Sequence, residues 1–268
     1  MRYRISKIAR IVGITTEAIR FYEKKGILTS AKDEENGYRT YDVLDIGTLL
    51  RCRTYSQFGL SLSEAARLIN DCTLNEANKT LVKQEAYLEH EIERHQRMLR
   101  RLRELNRLIA GAEEDTEKCS IVLHPGIFRM DYHRNGLLTE DQALLKIFSE
   151  WSNMLPFSFV SLRIPLQSLR GQIQDYFVGL GILEEDAAFL GVEENQYIHH
   201  FSPGLSVCTT LKVVGRGPVD IRSLQYLYDY ALRHELRPAG DAFSQMILTI
   251  HRSSPDHTRY YRVWLPVH

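Results

Sequence analysis

Cysteine is scarce and scattered in this chain. Cys52, Cys72, Cys119 and Cys208 lie far apart, and no Cys-x-x-Cys pair occurs. That spacing argues against a disulfide scaffold, a thiolate metal sensor and an iron–sulfur cluster, each of which needs several ligands that converge. Long hydrophobic runs are also missing. The longest stretch free of Asp, Glu, Lys and Arg is Asn195–Leu211, which contains His199, His200 and Pro203 and is too short and polar to span a bilayer. The opening sixteen residues hold Arg2, Arg4, Lys7 and Arg10 without an apolar core, so no secretory leader is expected and a cytoplasmic location is. No Gly-x-Ser-x-Gly nucleophile elbow is present, and the histidines have no evident Ser or Cys partner; no catalytic residue, metal ligand or cofactor is assigned.

A dominant charge sign is the last absence. The 268 residues carry 34 Lys+Arg and 34 Asp+Glu, but the charges are segregated: residues 1–110 hold 20 basic against 15 acidic, leaving 14 against 19 in residues 111–268. A basic first part joined to an acidic second part fits a polyanion-binding module carrying a module with a different task. A composition of 44% hydrophobic and 25% charged residues belongs to a globular chain.

Ile5, Ile8, Ala9 and Val12 recur at helical spacing and Gly13 follows them. Thr15 or Thr16 can cap a second helix that runs to Gly26, and together the two read as a helix-turn-helix. A polar stretch, Ala31–Tyr41, then carries the hairpin signal Asn36-Gly37. Asp42–Tyr55 and Ser61–Asn70 read as two more helices. From residue 76 the pattern changes. Leu74, Leu81, Leu88, His95, Leu102 and Ile109 recur every seven residues, with Ile92, Leu99 and Asn106 at the partner position. A narrow apolar seam on a long charged helix predicts pairing with a second copy in a coiled coil. The acidic stretch 111–118 reads as a linker.

Beyond it, His124-Pro125-Gly126 and Ser202-Pro203-Gly204 each precede a strand, a glycine-rich corner and an amphipathic helix. This weak internal repeat predicts an α+β domain. Residues 111–268 also hold both tryptophans, Trp151 and Trp264, and most of the aromatics. Such side chains can line an apolar pocket and attract organic cations, although at helical spacing they equally serve a core.

The segments Tyr3-Arg4-Ile5-Ser6-Lys7-Ile8-Ala9, Gly13-Ile14-Thr15-Thr16, Ile19-Arg20-Phe21-Tyr22-Glu23-Lys24-Lys25-Gly26 and Gly37-Tyr38-Arg39-Thr40-Tyr41 resemble the MerR family of transcription regulators. The Pro-Gly repeat, Trp151 and the terminal Val263-Trp264-Leu265-Pro266-Val267 resemble, more loosely, a GyrI-like effector domain of the multidrug-sensing members. The resemblance implies a winged helix-turn-helix over residues 1–75, a dimerisation helix over 76–110 forming an antiparallel coiled coil, the linker 111–118 and an effector-binding domain over 119–268. It implies a homodimer on a promoter inverted repeat that distorts an over-long spacer for RNA polymerase in response to a small lipophilic effector, with no membrane partner.

The residues expected to meet double-stranded DNA are Arg4, Ser6, Thr15, Thr16, Arg20, Phe21, Tyr22, Lys24, Tyr38, Arg39 and Tyr41. Guanidinium groups pair with guanine or clamp phosphate, and hydroxyls bind phosphate oxygens. Arg51, Arg53 and Lys32 are further phosphate candidates. The dimer seam is assigned to Leu81, Leu88, Ile92, Leu99, Leu102 and Ile109. The effector pocket is assigned to Phe148, Trp151, Phe159, Tyr197, Tyr228, Tyr261 and Trp264, with a space between the two halves near both tryptophans. One departure from the multidrug sensors stands out. Where they carry a buried glutamate on a late strand, this chain reads Phe243-Ser244-Gln245-Met246-Ile247, which leaves Glu150, Asp131 or Asp229 to meet a cation. A hydrolase or a ligand-free architectural module is the alternative for the second part.

Overall fold

A computed structural model describes residues 2–33, 37–215, 217–251 and 257–268. Two compact units result, residues 1–94 and residues 95–268.

In the first unit, strand β1 (Tyr3–Arg4) leads into α1 (Ile5–Val12) and α2 (Thr16–Lys24). Gly13 ends α1 in the left-handed conformation, at φ 70°, and its N–H donates to the Ala9 carbonyl; that geometry strains residues with a Cβ. Strands β2 (Ala31–Lys32) and β3 (Arg39–Tyr41) complete a small sheet ordered β1-β3-β2. The expected turn residue Asn36 lies outside the described residues, whereas Gly37 takes a positive φ of 70°. Helices α3 (Val43–Gln57) and α4 (Leu62–Asn70) both start with reciprocal capping boxes, Asp42 with Asp45 and Ser61 with Glu64. One core joins these elements: Ile8, Ala9 and Val12 of α1 pack with Ile19, Leu49, Cys52 and Ala65.

Helix α5 (Leu74–Gly111) follows. Its 38 residues give a rod of about 57 Å at 1.5 Å per residue. The division between the compact units cuts this helix at Arg94 and His95, not at the stretch 111–118. That stretch is not a free connection. Ala112 is buried with Ile247 and Tyr260, Arg262 Nη1 donates to Asp115 Oδ2 at 2.7 Å, and Thr116 bridges Thr210. The acidity that made it read as a linker supplies partners for the basic residues of the neighbouring strands.

The second unit continues with β4 (Ser120–His124), β5 (Ile127–Arg134), β6 (Leu137–Leu138), α6 (Gln142–Ser152), β7 (Ser158–Ile164), α7 (Leu166–Leu169), β8 (Phe177–Leu183) and α8 (Glu184–Leu190). Strands β9 (His199–Phe201) and β10 (Gly204–Val214), α9 (Gln225–Arg233), β11 (Ala242–His251) and β12 (His257–Pro266) complete it. The sheet order is β4-β10-β12-β11-β7-β8-β5-β6, with β9 also on β5. Two strand–helix–strand–strand runs, β5-α6-β7-β8 and β10-α9-β11-β12, therefore meet at the β11–β7 pair in mirrored order, β5 starting just after one Pro-Gly pair and β10 at the glycine of the other.

Side-chain alternation fixes what each sheet face carries. Val160 packs with Trp151 of α6, whereas Leu162, two residues on, packs with Leu227 and Ala231 of α9. Phe159, one residue before Val160, faces the other way, with Trp264, Phe243 and Cys208. Strand β8 and helix α8 were not foreseen. Phe-Val-Gly-Leu-Gly-Ile-Leu lacks an alternating pattern because both faces are covered, and its glycines answer to close neighbours. A Cβ at Gly179 would stand 1.9 Å from the Met130 carbonyl oxygen, and one at Gly181 2.7 Å from the Phe159 ring.

Candidate nucleic-acid interface and effector cavities

Thr15 caps α2 by accepting the Ala18 N–H, so it positions the helix N-terminus. Thr16 Oγ1 donates to Glu17, and this bond together with a backbone hydrogen bond at Glu17 holds the Glu17 carboxyl below its usual range. Ile19 turns fully inward and Tyr22 is half-buried against the same core, which raises its phenol pKa. Arg20, Phe21 and Lys24 remain exposed. Helix α2 thus keeps a basic, partly aromatic face clear of its own core.

The wing strand is held against this helix. Arg39 Nε lies 3.4 Å from Glu23 Oε2, with Arg39 exposed and Glu23 mostly covered. Arg4 stacks its guanidinium 5.6 Å from the ring centre of the exposed Tyr38, and Ser6 is exposed at the start of α1. Two expected contacts are corrected. Tyr41 has no exposed surface; paired opposite Tyr3, it fills the core, and burial together with the Glu23 carboxylate raises its phenol pKa. Arg53 is half-buried and donates to the Val12 carbonyl at 2.5 Å, closing the C-terminal end of α1. Arg51 and Lys32 are exposed. Tyr38, just before β3, is exposed, whereas Thr40 and Tyr41 at the end of the strand are buried.

Along α5, Leu88, Ile92, Leu99, Leu102 and Ile109 are 37–57% exposed and Leu81 is half-buried. Few helices leave such a row of apolar side chains to water.

The second unit holds three cavities of note. The first, of about 650 Å³, is bordered by Tyr132, Tyr176, Met246, Arg259 and Tyr261. The second, of about 600 Å³, is bordered by Asp131, His133, Leu138 and Phe177. The third, of about 360 Å³, lies between the last turns of α5 and the sheet, bordered by Met98, Arg101, Leu102 and Leu105 and by Phe159, Gln245 and Ile247. The seven aromatics assigned to one pocket do not share one. Tyr261 borders the first cavity and Phe159 the third. Trp151 and Phe148 belong to a core with Met130 and Leu180, and Trp264 to another with Ile127 and Cys208. Tyr197 is half-buried before β9, and Tyr228 sits on α9 with Arg170 6.0 Å from its ring centre. Periodicity showed that these rings point inward, not which space they border.

The acidic groups considered for a cation are also accounted for. Asp131 is held between Arg129 and Arg163, and Arg163 reaches Asp241 at 2.7 Å. Arg129 is buried and donates to Ser161; desolvation lowers its pKa to about 10, against the opposing pull of Asp131, so it stays protonated at neutral pH. Glu150 and Asp229 are exposed on α6 and α9. A second set of charges ties α5 to α8: Arg97 and Arg100 reach the fully buried Asp186 at 3.0 and 3.2 Å. Neither Arg129 nor Asp186 was singled out from the sequence, where nothing marks either one as buried.

Burial pushes the Cys119 thiol up to about 11 and the Cys208 thiol up to about 12, so both stay protonated and unreactive at neutral pH. Among the described residues, no group of three or more His, Cys, Asp or Glu could hold a metal ion, and no helix is long and apolar enough to cross a membrane.

The family model for MerR HTH family regulatory proteins matches residues 3–72. The HTH-type transcriptional regulator CueR of Escherichia coli O157:H7 is 39% identical over 124 residues, covering 44% of this chain and 90% of the relative. The HTH-type transcriptional regulator ZntR of Escherichia coli K12 is 29% identical over 126 residues, covering 45% and 89%. Among solved structures, EcmrR in its DNA complex aligns over 99% of both chains at 16% identity, with a TM-score of 0.39.

Proposed function

Because the chain belongs to the MerR family of helix-turn-helix, DNA-binding transcription regulators, we propose that it is a homodimeric, effector-responsive regulator of a promoter. Residues 1–75 bind an inverted repeat, residues 76–110 pair with a second copy, and residues 119–268 form a GyrI-like domain that takes a small lipophilic compound. The observation that carries this reading is the wing docked on α2: the Arg39–Glu23 pair and the Arg4–Tyr38 stack hold the wing beside the exposed Arg20 and Lys24. A helix face and a wing fixed to one another can engage the major groove and the adjoining backbone together. The exposed seam of α5 supports the dimer, since paired half-sites need two copies of the module at fixed spacing.

Regulation then follows from linkage. A compound that binds one dimer geometry better than another shifts the population toward it, and one that binds both equally shifts nothing. Distortion of an over-long spacer that lets RNA polymerase engage the promoter, hence activation, is the output we assign to that shift.

Selection from a random duplex pool tests the DNA reading. An inverted repeat should emerge, and its affinity should fall steeply with added salt. Arg20→Ala should blur base preference, whereas Arg39→Ala should weaken all duplexes alike. Equal affinity of the unaltered protein for selected and scrambled duplexes at moderate salt would refute it.

A further inference from the structure

Strands β11 and β12 set two histidines opposite one another. His251 ends β11, His257 begins β12, and the ladder pairs them directly. Side chains at such positions share a face of the sheet, with Cβ atoms about 5 Å apart. Here the two Nδ1 atoms approach to 3.0 Å, and the rings meet edge to face with centres 4.2 Å apart and planes at 71°. One ring therefore donates its Nδ1–H and the other accepts it. His251 is exposed and His257 half-buried, so ions in solution reach the pair. The backbone beneath is fastened, because the Gly215 N–H donates to the His257 carbonyl at 2.6 Å. Arg259, the next residue on that face of β12, is engaged with the Gly217 carbonyl, to which its Nη2 donates at 2.6 Å.

We propose that His251 and His257 form a two-histidine site for a late first-row divalent ion of the nickel or copper type, with water completing the coordination. Imidazole is the commonest protein ligand for such ions, whereas magnesium prefers carboxylate, carbonyl and water oxygens. Two nitrogens 3.0 Å apart, each about 2.0–2.1 Å from a common ion, subtend an angle of about 94° at it. Neighbouring ligands in square-planar and octahedral ions stand about 90° apart, and nickel and copper(II) adopt such geometries; a tetrahedral ion needs nitrogens about 3.3 Å apart. The ion takes the place of the shared hydrogen bond. The proton of the donor ring passes from Nδ1 to Nε2, so both rings stay neutral and each offers a lone pair at Nδ1. A small rotation of the exposed His251 ring points both lone pairs at one ion. Held on paired strands, the two imidazoles act as a chelate, the second binding at high effective concentration. Among the described residues no third His, Cys, Asp or Glu joins them, which makes this an open site of micromolar affinity rather than a closed structural one. A bound ion clasps the ends of β11 and β12.

Calorimetric titration of the full-length protein with nickel chloride at neutral pH tests the site, with magnesium chloride as the control. One nickel ion per protomer should bind at micromolar concentration, and magnesium should not bind. His251→Ala and His257→Ala should each weaken nickel binding at least tenfold. The double variant should bind no more weakly than either single one, because one lost ligand already ends the chelate. His199→Ala, at an exposed histidine of β9, should leave the titration unchanged. Nickel should also raise the unfolding temperature followed by tryptophan emission in wild type and in His199→Ala, but not in the other variants, since an ion bound to the folded state stabilises it. Circular dichroism without nickel checks that each variant is folded. Wild-type protein that takes up no nickel below millimolar concentration overturns the proposal. So does a titration that only one of the two histidine variants weakens, or a folded double variant that binds nickel as tightly as wild type.

Discussion

Tyr41 and Arg39, two residues apart on β3, show how one strand divides its labour. Both lie on the same face of the strand, but Arg39 stays exposed and pairs with Glu23, while Tyr41 has no exposed surface and belongs to the core. The two roles separate by experiment. Tyr41→Ala should cost about 3–5 kcal/mol, the range for deleting a buried aromatic. Tyr41→Phe should stay within about 1 kcal/mol of wild type and keep full promoter affinity, because the phenol contributes through its ring. Chemical denaturation and fluorescence anisotropy on DNA check both. A large loss of DNA affinity in a stable Tyr41→Phe protein would return Tyr41 to the interface. Asp186 shows the other limit of what a residue type discloses. A buried carboxylate held by two arginines has no signature in a first helical turn that reads Glu-Glu-Asp.

At the scale of elements, caps and seams carry the testable content. Glu64 accepts from the Ser61 backbone and side chain at the start of α4, and those hydrogen bonds lower its pKa. A folded-state pKa below the unfolded value stabilises the fold above about pH 4.5 and is lost as pH falls through the lowered value. The difference in unfolding temperature between wild type and Glu64→Gln should therefore hold steady from pH 7 to about 5 and close toward pH 3. A difference that widened on acidification would contradict this linkage. On α5, the exposed row Leu88, Ile92, Leu99 and Leu102 should bring two copies together without DNA or ligand. Leu88→Glu with Leu99→Glu should give a monomer by light scattering, with promoter affinity lost because two half-sites are no longer engaged at once. Wild-type protein that is monomeric at micromolar concentration would refute the seam.

The whole molecule comprises two compact units, 1–94 and 95–268, with separate cores. Both tryptophans are buried in the second: Trp151 in the α6 core, and Trp264 in the cluster that includes Phe159. Tryptophan emission should therefore follow unfolding of residues 95–268 alone, while far-ultraviolet circular dichroism follows both units. Two transitions that do not coincide are expected on heating, and a single coincident one would show that the units unfold together. Much of this architecture is legible in the sequence, wherever order depends on near neighbours along the chain. The 3.6-residue pattern of Ile5, Ile8, Ala9 and Val12, the stop at Gly13, the Thr15, Asp42 and Ser61 caps, the heptads of α5 and the two Pro-Gly strand starts are all local. Tertiary structure alone decided the rest. It sent Tyr41 inward, packed 111–118 onto the sheet, placed the glycines of β8 against Met130 and Phe159, and dispersed the seven aromatics among separate cores and cavities. It also brought Arg101 and Gln245 to the border of one cavity, although 144 positions of chain separate the two residues. Those outcomes depend on which strands become neighbours, and no period or motif in the chain records that choice.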